Sequence, residues 1–361
     1  MTRKMKASLL QEPGVLTTEI IDTPEIIKDE VLIKVSYAGI CGSDLPRSQA
    51  ENGARMYPLV LGHEFSGVVE SVGEEVKDIK VGDRVAVAPL IPHPDSPFTK
   101  EGLYGLSDNY NIIGTGSNGA FAEFVKAPEK HVIKLPDDID LETAAGIEPA
   151  SIAYHAFDIS GIKVGDTVAV LGAGSIGQFA IQVAKVFGAK KVIAVDIFDD
   201  KLELAKELGA DIVINSKTEN LLERIGEVTE DGLGVNLVIE TAGSSITQEQ
   251  SLLITRKNGT VVFVGISHKP LNLSEEAVEN ILRGELTIKG SWNSYTAPYP
   301  GRAWTGTIDA MQKGQIVFSP MISHRIQLED LNEYLAGMFD HSIQYNKVVI
   351  EVNPSSQKDV K

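Results

Sequence analysis

Over the first 155 residues, short runs of apolar and β-branched positions alternate with turn signals. Val31–Tyr37, Ser66–Val72 and Arg84–Val87 read as strands, and Val81-Gly82-Asp83 is one of the turns between them. The pattern predicts an all-β unit with long loops. Residues 89–120 form its longest irregular stretch, with Pro89, Pro92, Pro94 and Pro97 followed by Gly114, Gly116 and Gly119. A loop of that size is functional or folds as a lobe of its own. From about residue 160 the texture changes. Thr167–Leu171 is a continuous apolar strand. Ile176–Phe187 carries apolar residues at Ile176, Phe179, Ala180, Val183 and Phe187, one face of a helix, and Gly188 closes it. Val192–Val195 reads as a strand, Asp200–Leu208 as a helix ended by Gly209, and Leu237–Ile239 and Thr260–Val264 as further strands. Buried strands separated by helices predict a parallel sheet covered on both faces. Lys347–Val352 reads as a closing strand, and Ser355–Lys361 as a disordered tail.

Composition narrows the class. A length of 361 residues suits two domains, and 43% hydrophobic with 23% charged residues is a globular composition. The formal net charge of −17 speaks against nucleic acid as a partner, because no basic segment offsets it. Glu12 and Pro13 interrupt the N-terminus before a signal-peptide core can form, and no run reaches the roughly 18 apolar residues of a membrane span. The expectation is a soluble, cytoplasmic protein without membrane contact. Cys41 is the single cysteine, which excludes an intrachain disulfide and an all-cysteine zinc site.

Candidate chemistry stands at two places. In the second half, Gly172-Ala173-Gly174-Ser175-Ile176-Gly177 follows one predicted strand and opens a helix. Gly172 permits the tight turn, Gly174 lets backbone approach a pyrophosphate, and Gly177 lets helix and strand pack closely. Ser175 and Ile176 begin the helix, whose N-terminus attracts phosphate. Asp196 ends the next strand about 20 residues on, where an acid binds the ribose 2′-hydroxyl and repels a 2′-phosphate. The prediction is a Rossmann domain binding NAD. Lys201 is a candidate to cover the adenosine ribose, or a solvated surface lysine.

In the first half stand Cys41-Gly42-Ser43-Asp44 and Gly62-His63-Glu64-Phe65-Ser66-Gly67, then Gly73, with Ile147-Glu148-Pro149 further on. With the glycine run behind them, these motifs resemble the zinc-dependent medium-chain alcohol and polyol dehydrogenases over nearly the whole chain. A catalytic zinc needs three protein ligands and an open fourth position. Cys41 offers a thiolate, His63 an imidazole, and Glu148 or Glu64 a carboxylate. The polyol members imply Cys41, His63 and Glu148, with Glu64 entering or leaving. Asp44 suits a carboxylate that orients His63 through its other nitrogen, or a turn acid. The resemblance places Ser43 to take the substrate hydroxyl proton. Where many relatives then carry a relay histidine, this chain has Pro46, so the proton leaves by another route.

Relatives also carry four cysteines in the long loop. Their spacing falls here on His93, Ser96, Thr99 and Ser107, so one catalytic zinc and no structural zinc are expected. Packing of Phe98, Leu103, Tyr104, Leu106 and Tyr110 is then expected to order the lobe. Cys41 through Arg47, Glu240-Thr241-Ala242-Gly243, Gly290-Ser291-Trp292 and Pro300-Gly301 resemble the polyol-phosphate branch of the family. That branch implies oxidation of a secondary alcohol of a phosphorylated polyol such as galactitol 1-phosphate to a ketose phosphate. Arg47 is the candidate phosphate anchor and Arg302 a second, better read as a surface ion-pair partner. Asn293 and Tyr295 are candidates for polyol hydroxyls or for the pocket wall. An unphosphorylated polyol such as sorbitol or xylitol is the alternative substrate. A dinucleotide-binding protein without turnover would have no need of Cys41, His63, Ser43 and Glu148. The expected architecture is α/β, with a GroES-like β-barrel catalytic domain at 1–157 and 296–361, a doubly wound Rossmann domain at 158–295, and the active site in the cleft. The resemblance also implies a homodimer or homotetramer.

Overall fold

The computed structural model describes residues 3–353; the tail expected to be disordered lies outside them. Contacts divide the chain into two compact units. The first comprises 1–148, 295–301 and 318–361, and the second 149–294 and 302–317.

In the first unit, the strand Glu30–Gly39 is buried along most of its length and organises a mostly antiparallel sheet. It pairs with Glu64–Val72, with Phe124–Pro128 and with the closing strand Lys347–Glu351. Arg84–Val87 and Val132–Lys134 extend one side, and Ile322–Ile326 the other. Val31, Ile33, Val35, Phe65, Val85, Phe121 and Ile350 fill the core. Burial is continuous along most of these strands rather than alternating, as the runs of β-branched residues encode. Leu90–Ile91 pairs with Asn111–Ile112 at the base of the long loop.

In the second unit, six strands are parallel in the order Ile212–Asn215, Lys191–Asp196, Thr167–Leu171, Val235–Glu240, Thr255–Phe263, Thr287–Gly290. This is the doubly wound order. Its direction reverses between Thr167–Leu171 and Val235–Glu240, the switch point where such sheets bind ligands. The helix Ser175–Val186 follows the first of these strands directly.

The division differs from the expected 1–157, 158–295 and 296–361 in two places. The first unit ends at Glu148, and residues 302–317 return to the second. The cause is packing. Trp304 is fully buried and donates through Nε1 to Ser294 Oγ at 3.0 Å, while Gln182 and Val317 exchange bonds of 2.7 and 3.1 Å. Among the described residues, no helix is long and apolar enough to cross a membrane.

Candidate active site

Cys41 sits where the central strand of the first unit turns into a short helix. Ile40 still bonds the closing strand through Val348 O at 3.0 Å, and the Asp44 amide then closes a turn on Cys41 O at 2.9 Å. Asp44 is fully buried and returns the favour, accepting from the Cys41 amide at 3.0 Å through Oδ2. Asp44 begins the helix Asp44–Gln49, with Pro46 inside its first turn, where a proline costs no hydrogen bond. His63 arrives on a different segment. Gly62 before it has φ +97° and presses its backbone against the Phe121 ring, a conformation and a closeness that a side chain would not allow.

The folding of these segments brings ligand atoms of Cys41, His63 and Glu64 within 4.8 Å of one another. Ser43 Oγ donates to Cys41 Sγ at 3.3 Å. Asp44 Oδ1 lies 3.6 Å from His63 Nδ1, just outside hydrogen-bond range, and this buried nitrogen has no hydrogen-bond partner. Arg47 Nη1 reaches both Ser43 Oγ and Asp44 Oδ1 at 3.3 Å. Glu148, in the first turn of Ile147–Ser160, interacts electrostatically with His63, Glu64 and Asp44.

One member of this group carried no recognisable sequence signal. Lys347, 1% exposed, pairs its ammonium with Glu64 Oε2 and donates to Ile40 O at 2.9 Å. In the sequence it is merely the first residue of a predicted strand. Its burial follows from a register that only the assembled sheet reveals.

The electrostatics describe a site built for a cation. Burial pushes the Cys41 thiol well above its ordinary range, and Glu64 and Asp44 push it further. Burial likewise raises Glu148 to about 7, with Glu64 and Asp44 adding to the rise and His63 opposing it. Fully ionised, the four acids Cys41, Asp44, Glu64 and Glu148 face Lys347 and Arg47, leaving an excess of two negative charges. A divalent cation balances that excess and restores both acids to their charged forms. The donors are one thiolate, one imidazole and carboxylates, the set zinc prefers.

The remaining candidates spread over both units. Tyr295 is buried in the first unit, and its hydroxyl is held above its ordinary pKa by burial first and by Glu148 second. Asn293 belongs to the second unit with a left-handed backbone at φ +53°. Arg302 pairs with Asp158 at 3.1 Å.

At the switch point of the second unit, Gly172 has φ +92°, and a Cβ there would meet the Ala242 amide nitrogen at 2.8 Å. A Cβ on Gly177 would strike the Gly172 carbonyl, whereas one on Gly174 would meet nothing within 4 Å. The open side of the turn therefore coincides with the helix start at Ser175 and Ile176, which has no side-chain cap. Asp196 is fixed by amides of Ala173 at 2.6 Å, Ile197 at 2.7 Å and Phe198 at 3.1 Å. Lys201 Nζ lies 5.1 Å above the Phe198 ring. Glu240, which motif reading treated only as part of a resemblance, is fully buried and holds the adjacent turn through the Gly243 amide at 2.9 Å and Thr247 Oγ1 at 2.7 Å.

The long loop is ordered differently from expectation. Phe98, Leu103 and Leu106 are exposed rather than packed. Ser107 Oγ instead accepts from the His93 amide and bonds Thr99 Oγ1, each at 2.9 Å, and Ser96 Oγ accepts from the Asp108 amide at 3.0 Å. Tyr104 meets Tyr299 edge-on at 5.5 Å, and the Tyr299 hydroxyl reaches His131 Nδ1 at 2.7 Å.

Comparison with known proteins agrees with this geometry. Residues 27–137 match the model of the alcohol dehydrogenase GroES-like domain, and residues 175–311 that of zinc-binding dehydrogenases. The chain is 38% identical over 326 residues to galactitol 1-phosphate 5-dehydrogenase of Escherichia coli K12, covering 90% of this chain and 94% of that protein. A crystal structure of galactitol-1-phosphate dehydrogenase from Escherichia coli matches with a TM-score of 0.91 at 36% identity, over 96% of this chain and 100% of the other. D-xylulose reductase of Saccharomyces cerevisiae is 34% identical over 354 residues, 96% of this chain and 97% of that protein. A crystal structure from Sinorhizobium meliloti 1021 bound to NADP matches with a TM-score of 0.89 at 33% identity, over 97% of this chain and 99% of the other.

Proposed function

The chain belongs to the zinc-dependent medium-chain alcohol and polyol dehydrogenases, and we propose that within them it oxidises a secondary hydroxyl of a polyol phosphate, of the galactitol 1-phosphate kind, with NAD as acceptor. The observation that carries the chemistry is the cluster of Cys41, His63 and Glu64 with Ser43 hydrogen-bonded into it. Cys41 and His63 with Glu64 or Glu148 would hold the ion, and a zinc there would supply Lewis acidity that eases deprotonation of an alcohol. Ser43 takes the proton from the substrate hydroxyl. Arg47, donating to Ser43 Oγ, orients that hydroxyl so that it passes its own proton on as it accepts the substrate's. With Pro46 in the relay position, the proton passes from Ser43 to solvent. Asp44 holds both the Cys41 turn and Arg47, and orients His63. Gly172, Gly174, Ser175, Ile176 and Gly177 take the pyrophosphate, while Asp196 takes the ribose hydroxyls and disfavours NADP. Lys201 covers the same ribose.

Arg47 supports the phosphorylated substrate, since its side chain retains 18% exposure and the chain is otherwise strongly acidic. Within the first unit, Tyr295 contributes to the polyol subsite. An unphosphorylated polyol is the second reading, favoured because Arg47 already shares its charge with the buried Asp44. Metal analysis with NAD and NADP reduction across polyols and their phosphates tests all of this. Arg47→Ala is expected to raise KM for the phosphorylated substrate far more than for the free polyol; equal changes would favour the second reading. One zinc per chain with no polyol or polyol phosphate oxidised would overturn both.

A further inference from the structure

Gln178 is an expensive residue where it stands. It is wholly buried in the helix Ser175–Val186, directly after the last glycine of the run, and its Oε1 has no hydrogen-bond partner. An apolar side chain would avoid that orphaned oxygen. The other end of the amide explains its presence. Nε2 donates to the Ala173 carbonyl at 3.0 Å and to the Lys201 carbonyl at 2.8 Å, so both of its N–H groups are used. Turned round, the amide would set its oxygen against those two carbonyls.

Thr241 does the same for the preceding peptide. Its hydroxyl lies 2.8 Å from Gly172 O and 3.1 Å from Leu171 O. Leu171 O already accepts the amides of Thr241 and Ala242, which leaves the single hydroxyl proton for Gly172 O. Gly177, lacking a Cβ, gives room to that carbonyl and to the hydroxyl. In a trans peptide the carbonyl and the next amide point in opposite directions. Fixing Gly172 O on Thr241 therefore aims the Ala173 amide the other way, where Asp196 Oδ2 accepts it at 2.6 Å. Fixing Ala173 O on Gln178 aims the Gly174 amide away from Gln178, and Gly174 is where an added Cβ would meet nothing within 4 Å.

We propose that Gln178 and Thr241 are positioning residues for the dinucleotide. They fix two successive peptides of the glycine turn, so that one amide holds Asp196, the acid for the ribose, and the next is free for the phosphates. Through Lys201 O, Gln178 also ties the turn to the helix Asp199–Glu207, which joins the phosphate and ribose ends of the site. The inference rests on the second unit binding a nicotinamide dinucleotide. It is independent of which polyol is oxidised and of the preference between NAD and NADP.

The test is binding, read by calorimetry on the full chain with NAD, with NADP and with ADP-ribose. Gln178→Met keeps the size of the side chain without a donor, and Thr241→Val keeps its shape without the hydroxyl. Each is expected to raise Kd for the dinucleotide and for ADP-ribose alike by about 3- to 10-fold, the worth of one hydrogen bond. In turnover the change should fall on KM for the dinucleotide far more than on kcat, which loss of stability alone would not produce. Thr241→Ser, which keeps the hydroxyl, should restore the wild-type Kd. An unchanged Kd in either folded variant, an effect on the dinucleotide that ADP-ribose does not share, or a Thr241→Ser no better than Thr241→Val overturns the proposal. Should Gln178→Met fail to fold, the Thr241 pair decides by the same criteria. Wild-type protein that binds neither NAD nor NADP overturns the dinucleotide reading itself, and this inference with it.

Discussion

Two loops of the first unit invite comparison: the one around Cys41 and His63, and the lobe at 93–108. Both gather polar side chains that would be costly to bury alone. In the lobe, serine and threonine hydroxyls satisfy backbone amides and one another. Ser107 serves His93 and Thr99, and Ser96 serves Asp108, so hydroxyls close the loop. Around Cys41 the groups are acids and an imidazole, and their charges do not balance. His63 Nδ1 has no hydrogen-bond partner, and Cys41 and Glu148 are pushed toward their neutral forms. A cluster that closes on itself is scaffold. One left with an excess of negative charge has a place for a cation.

The contrast can be broken experimentally. The largest effect is expected from Cys41→Ser, which should lose zinc and at least about a thousandfold in kcat/KM, beyond the tenfold to hundredfold typical of supporting groups. Full metal content in that variant would remove Cys41 from the ligand set.

Acid should attack the base of the lobe next. Burial holds His131 down at about 4 from an ordinary 6.5, so the folded protein keeps it neutral. Between those values the unfolded chain binds more protons, and stability therefore rises with pH through that window and is lost as pH falls. The loss by pH 4 is roughly 3 kcal/mol. Denaturant titrations of wild type and His131→Gln should converge as pH drops; curves that stay parallel would remove the histidine as the cause.

Asp44→Asn keeps the shape but weakens the hold on Arg47 and His63, with an expected loss of about 10- to 100-fold in zinc affinity. Competition against a chelator measures it. The smallest effect belongs to the lobe. Ser107→Ala strands the His93 amide and Thr99, costing about 1–3 kcal/mol in stability with zinc content unchanged. Loss of zinc in that variant would mean the two loops are not independent.

What could be read from the chain alone was whatever a short segment encodes. The glycine run needs its left-handed turn at Gly172 and its close approach at Gly177 within six residues, so its meaning is local. The Cys41–Asp44 turn is local too, as are the alternating strands and the helical face of Ile176–Phe187. Apolar side chains on Phe98, Leu103 and Leu106 misled, because hydrophobicity reports a tendency to bury and not whether anything lies above to bury against. The partnership of Lys347 with Glu64 spans 283 residues and depends on two strand registers meeting at Gly39. The same holds for Trp304, whose bond to Ser294 returns residues 302–317 to the second unit. Local backbone geometry and periodicity are written in neighbouring residues, and they determined the fold class and where the candidate motifs stand. Register and burial are settled only when distant segments compete for one core. Tertiary structure therefore decided which charges are paired, which stand exposed, and what holds Glu64 in place.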